Sequence, residues 1–97
     1  ANTYCKDIVN GKSGKGICVA ANLNRVANYK VKKGKTKGKT MSFLTIEDET
    51  CCLDSVVVFP DAREKYQYFL YEGNNLMFCG SVDKKDNSFI VDKIHEI

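Results

Sequence analysis

The sequence has a single histidine, no Cys-x-x-Cys pair and no long apolar run, and only one acid, Asp7, occurs before residue 41. Each shortage removes a class of function. The lone His95 lies near the C-terminus, so no Ser-His-acid set can be assembled beyond chance, and a zinc site lacks the clustered His or Cys it needs. No apolar stretch approaches the roughly 18 residues of a membrane span. Ala1 to Asn10 lacks the basic start and long apolar stretch of a secretory leader, so a cytoplasmic protein that makes no contact with membrane is expected. The cysteines (Cys5, Cys18, Cys51, Cys52 and Cys79) are odd in number and lack metal-ligand spacing, and they read as free thiols in a reducing compartment.

What is present fits one small domain. Ninety-seven residues, 43% of them hydrophobic and 28% charged, can bury a modest core and are not disordered by composition. The net charge of +3 hides an asymmetry. Up to Thr40 there are nine lysines and one arginine against Asp7; from Met41 onward eleven acids outweigh four lysines and one arginine. Such a distribution suits a protein with one surface that meets a polyanion.

Five strand-like runs can be traced. Gly16 to Val31 is the first, with Ile17, Val19, Ala21 and Leu23 alternating with other residues. A segment rich in lysine and glycine follows, Lys30 to Thr40. Met41 to Asp48 and Cys51 to Phe59 are the second and third runs, the latter ending in Val56, Val57 and Val58. The period then changes. Pro60 and Asp61 open a helix in which Asp61 caps, Glu64 completes a capping box and Gly73 ends the element. Ala62, Tyr66, Phe69 and Leu70 form one apolar stripe on it. Asn75 to Lys84 and Ser88 to Ile94 close the chain. Residues 1–15 read as a lead-in or linker and 16–97 as the domain.

Three strands, a helix and two strands predict an all-β, five-stranded Greek-key OB-fold barrel, with the one helix between strands 3 and 4. OB barrels hold oligonucleotides on the face of strands 2 and 3, between the loops joining strands 1–2 and 4–5. Here both loops carry lysine: Lys30, Lys32, Lys33, Lys35, Lys37 and Lys39 in the first, Lys84 and Lys85 in the second. Ammonium groups there attract phosphates without reading sequence, and Gly34 and Gly38 are expected to keep the first loop mobile. Leu44 and Ile46 make the better core pair of the second strand, which turns Phe43, Thr45 and Glu47 to the other face. Phe43 is thus the expected base-stacking residue, with Arg25 and Tyr29 as weaker partners near the end of the first strand.

Two motifs fail. The run Asn10 to Gly16 lacks the glycine a phosphate loop needs, since position 6 is Lys6. Glu47, Asp48 and Glu49 are consecutive and cannot converge on two metals without partners elsewhere. No catalysis, cofactor or metal is expected.

Several segments, in order, are similar to a known family. The stretches KKGKTKGKTMSFLTIEDET, VVVFP, REKYQYFLYEG and LMFCGSV, between Lys33 and Ile94 in the main, resemble the OB domain of the bacterial DNA polymerase III alpha subunit. In that family a lysine-glycine-lysine loop leads into a strand of the type Met-x-Phe-x-x-Leu-x-Asp-x-Thr. The third strand here is one residue longer than the family's pattern, which marks a bulge. The resemblance implies single-stranded DNA binding as part of, or beside, a replicative polymerase, with other replication proteins as further partners. The same superfamily includes anticodon-binding domains of class II aminoacyl-tRNA synthetases, whose stacking aromatic maps to Phe43; their arginine before the aspartate is replaced here by Glu47. An RNA-binding barrel and a protein-interaction barrel stay open as alternatives.

Overall fold

The computed structural model describes residues 1–97. Its elements are α1 (Cys5–Val9), β1 (Gly14–Lys30), β2 (Thr40–Glu47), β3 (Cys52–Val58), α2 (Pro60–Tyr66), β4 (Asn75–Val82) and β5 (Phe89–Glu96), with a 3-10 turn at Gln67–Phe69. The strands close into a barrel in the order β1-β2-β3-β5-β4. All neighbours are antiparallel except β3 and β5, which run parallel at Val56/Phe89 and Val57/Ile90.

Closure depends on the length of β1. Its first half, Gly14 to Asn22, pairs with β4, and its second half, Asn22 to Lys30, pairs with β2. Asn22 is common to both ladders, so one strand serves as the hinge of the barrel wall. The sequence alternation holds through Ile17, Val19, Ala21 and Leu23, all buried. It then breaks at a register shift between Leu23 and Arg25. Asn24 is the extra residue, and its amide donates to Glu47 Oε1 at 3.0 Å. A bulge of this kind reverses the inward and outward phase of everything beyond it. Val26 therefore packs on the core, while Arg25, Ala27 and Tyr29 turn outward.

β3 carries a second bulge. Leu44 pairs with Val56 and Ile46 with Leu53, so Asp54 and Ser55 together oppose Thr45. β4 and β5 shift register between Cys79 and Gly80. Gly80 is obligatory there for want of space: a Cβ on it would lie 1.9 Å from the Ile90 carbonyl oxygen.

Seventeen buried apolar residues fill the barrel, led in size by Phe78 and Phe89. Two helices accompany the strands instead of one. α2 lies between β3 and β4, and Ala62, Tyr66, Phe69 and Leu70, the stripe read from the sequence, pack against the core. Its start differs from expectation. The helix begins at Pro60, with Phe59 in the cap position, and Asp61 falls inside the first turn with no capping hydrogen bond. Proline at the first helical position sets φ and needs no donor, which moves the cap one residue earlier than expected. The helix also ends sooner, at Tyr66, and Gly73 serves the next turn at φ +92°, where its N–H donates to the Leu23 carbonyl at 2.7 Å.

The N-terminal residues are no linker. Thr3, Cys5 and Ile8 are buried, and α1 seats Cys5 and Ile8 in the same core as the strands. Asn2 and Thr3 donate to the Cys18 carbonyl of β1, both at 3.1 Å. The Asp48 carboxylate, in the turn between β2 and β3, accepts from the Cys5 N–H at 2.8 Å, the Thr50 N–H at 2.8 Å, the Cys51 N–H at 3.3 Å and the Thr50 hydroxyl. Burial opposes ionisation of Asp48, but these donors outweigh it and bring its carboxyl down to about 2. The Cys5 thiol is pushed the other way, to about 12, by burial and by the Asp48 charge. No helix is long and apolar enough to cross a membrane.

Candidate functional site

The outward face of β1 and β2 follows from register. Leu44 and Ile46 are buried, so Met41, Phe43 and Thr45 point away from the core. Arg25 pairs with Thr45, Ala27 with Phe43 and Tyr29 with Met41. Phe43 is 44% exposed and Tyr29 46% exposed, and their rings meet edge to face with centroids 6.4 Å apart. Edge-to-face contact orients a ring without covering its outer side, so Phe43 keeps an open flat surface. Ala27 beside it is too small to cover it.

The structure adds residues that one strand alone does not reveal. Phe43 pairs with Val57 on β3, and Val57 with Ile90 on β5. Ala27, Phe43, Val57 and Ile90 therefore form an apolar row across four strands. Both Val57 and Ile90 are half-buried. Periodicity puts each of them on an outer face, but only the β3–β5 pairing sets them in line.

Beneath this face the β2 backbone is held firmly. Ser42 is fully buried and its hydroxyl donates to Asn28 Oδ1 at 2.7 Å, while Arg63 Nε of α2 donates to Ser42 Oγ at 3.2 Å. A polar chain thus ties α2 through β2 to β1, directly behind Phe43.

The first loop extends from the end of this face. Lys30, Lys32, Lys33, Lys35, Lys37 and Lys39 are all exposed. The loop is a hydrogen-bonded double turn. The Val31 N–H donates to the Lys39 carbonyl and the Gly38 N–H to the Val31 carbonyl, both at 2.8 Å. Gly34 and Gly38 take φ values of +93° and +87°, which is the geometry these turns demand. The lysines are spread around these turns.

The second loop is different. Asp83 organises it: its carboxylate accepts from the Lys85 N–H at 2.8 Å and its carbonyl from the Asn87 N–H at 2.7 Å. The Asn87 carbonyl in turn accepts from the Ser55 hydroxyl at 3.2 Å, which brings the loop against β3 beside Val57. Lys84 and Lys85 are exposed, yet Asp83 and Asp86 flank them, so the loop carries no net charge. Both loops border the same face, and one of them supplies nearly all the positive field.

The remaining polar clusters offer little chemistry. No three His, Cys, Asp or Glu side chains come together as metal ligands would. Glu47 is engaged with Asn24, and Asp48 is spent on α1 and its own turn. The class defined by this geometry is a closed, mostly β barrel presenting an aromatic outer face beside a cationic loop. Comparison with protein-family models, with curated proteins and with solved structures finds no match for the chain.

Proposed function

We propose that the protein is a non-catalytic OB-type barrel that binds single-stranded nucleic acid across β1, β2 and β3. One observation carries the reading: an exposed Phe43–Tyr29 pair lies beside a loop with six exposed lysines. Stacking on an aromatic contributes roughly 1–3 kcal/mol per base and tolerates any sequence. The lysines supply the phosphate term. The helix between β3 and β4 and the strand order support the OB assignment. The motif likeness to the polymerase III alpha OB domain supports DNA as the strand and a replicative polymerase as its setting.

Fluorescence anisotropy with a labelled oligothymidine tests this. Micromolar binding is expected, weakening roughly fiftyfold between about 50 and 200 mM salt if about four phosphates are neutralised. Phe43→Ala should cost roughly tenfold in affinity with the fold intact by circular dichroism. A shallow hollow between β3, α2 and β5 continues the apolar row with Phe59, Ala62, Ile90 and Val91, is edged by Asp61, Lys65 and Asp92, and favours a protein partner as the second reading. Absence of oligonucleotide binding even at low salt would transfer the function to that surface, and competition by RNA would decide the sugar.

A further inference from the structure

The first half of β1 carries a chemistry that the binding face does not use. Cys18 on β1 is the direct partner of Cys79 on β4. Their inward neighbours Ile17, Val19 and Phe78 are buried, so both thiols lie on the outer side of the barrel, half-buried. The backbone shows which kind of pair this is. The Cys18 N–H donates to Asn2 Oδ1 at 3.0 Å, and the Cys18 carbonyl accepts from the N–H groups of Asn2 and Thr3. In a strand the N–H and C=O of one residue point to the same edge. Those of Cys18 point to the N-terminal segment and away from β4. Cys18 and Cys79 are therefore a non-hydrogen-bonded antiparallel pair, the kind in which Cα atoms approach to about 4.5 Å and side chains lie closest. Disulfides span Cα separations of roughly 4.4–6.8 Å.

We propose that Cys18 and Cys79 form a dithiol site that reacts with a low-molecular-weight organic disulfide and closes into a cross-strand bond between β1 and β4. The site is open to such a reagent: a shallow hollow exposes Cys18 and Cys79 between Gly16, Gly80, Asp92, Lys93 and His95, Lys93 offsets the Asp92 charge, and Gly16 offers no side chain to cover it. Burial, followed by the neighbouring Cys18 thiol, pushes the Cys79 thiol up to about 12, and the second of these causes is gone once either sulfur is in a mixed disulfide. One of the two thiols, as its thiolate, displaces one thiolate from R–S–S–R and forms a mixed disulfide. The other thiol then loses its proton, attacks the protein sulfur of the mixed disulfide and releases the second R–S group. The two protons of the protein thiols end on the two R–SH products, and the protein loses two electrons to the reagent.

The test uses the full reduced chain with glutathione disulfide under native conditions. Intact mass should fall by two hydrogens, and non-reducing peptide mapping should join Cys18 to Cys79. The link closes a long loop in the unfolded chain, so melting temperature should rise by at least about 10 °C. Cys52→Ser, which removes an exposed thiol, should leave both results unchanged, and Cys18→Ser should abolish both. A persistent glutathione adduct without ring closure, a Cys5–Cys51 link, or an unchanged mass would each overturn the proposal, and the peptide map reads all three in the wild-type chain. Nucleic acid takes no part in this test, so its outcome is separate from that of the binding reading.

Discussion

The two halves of β1 are the same strand put to different uses. In the half that pairs with β4, alternate side chains are buried, and the outer side holds Cys18 and Ala20, both half-buried. In the half that pairs with β2, the outer side holds Arg25, Ala27 and Tyr29, all exposed. One inserted residue, Asn24, separates them. The difference teaches that the outward aromatic face is made by a change of phase more than by a change of composition. Leu23 and Arg25 are two residues apart and would share a face in a regular strand.

The comparison can be broken most severely at Gly80, opposite Ile17 in the first-half ladder. Gly80→Ala would drive its methyl into the Ile90 carbonyl, and we expect a loss of at least about 3 kcal/mol, a large share of a small domain's stability. A cooperative denaturant transition at the wild-type midpoint would refute this. Ile8→Ala comes next. Ile8 is fully buried under the barrel, and its truncation should cost about 2–4 kcal/mol while leaving oligonucleotide affinity in the folded fraction unchanged.

Asp48 sharpens the contrast through pH. Replacing it with alanine removes the cap of α1 and should cost about 1–2 kcal/mol near neutral pH. Its folded carboxyl is depressed from 3.8 to about 2, so the stability it gives is complete above 3.8 and is lost as pH falls through 2. Melting curves of wild type and Asp48→Ala should therefore converge across that window. The smallest effect is expected at the second loop. Replacing Lys84 and Lys85 with alanine should weaken oligonucleotide binding by less than about threefold, because Asp83 and Asp86 already offset them. The same double change at Lys35 and Lys37 should cost more, and equal losses in the two loops would show that local charge balance does not matter.

Much of the barrel was legible because its signals are local. Alternation through Ile17, Val19, Ala21 and Leu23, the valine run of β3 and the stripe Ala62, Tyr66, Phe69 and Leu70 each report their own burial. The outward turn of Phe43 was legible because Leu44 and Ile46 compete for the core and win. What escaped was set at a distance. The five residues of α1 are too few to hold a helix alone. Its first N–H is capped by Asp48, 43 residues on, and no local pattern announces that partnership. Asp61 looked like a cap on residue type, but Pro60 had already taken the first helical position. The two bulges were legible only in part: the extra length of β3 hinted at one, whereas Asn24 in β1 gave no warning.

The change of partner at Asn22 also separates local from distant contacts along one strand. The half of β1 that meets β2 closes across one short loop, so its ladder forms by local contacts. The half that meets β4 must wait for residues 75–82 to arrive and pays the closure entropy of the whole intervening chain. Phe43 and Tyr29 are then expected to meet early, and the N-terminal plug, which needs both Cys18 and Asp48 in position, to dock late; φ-values at Phe43 and Ile8 would read that order.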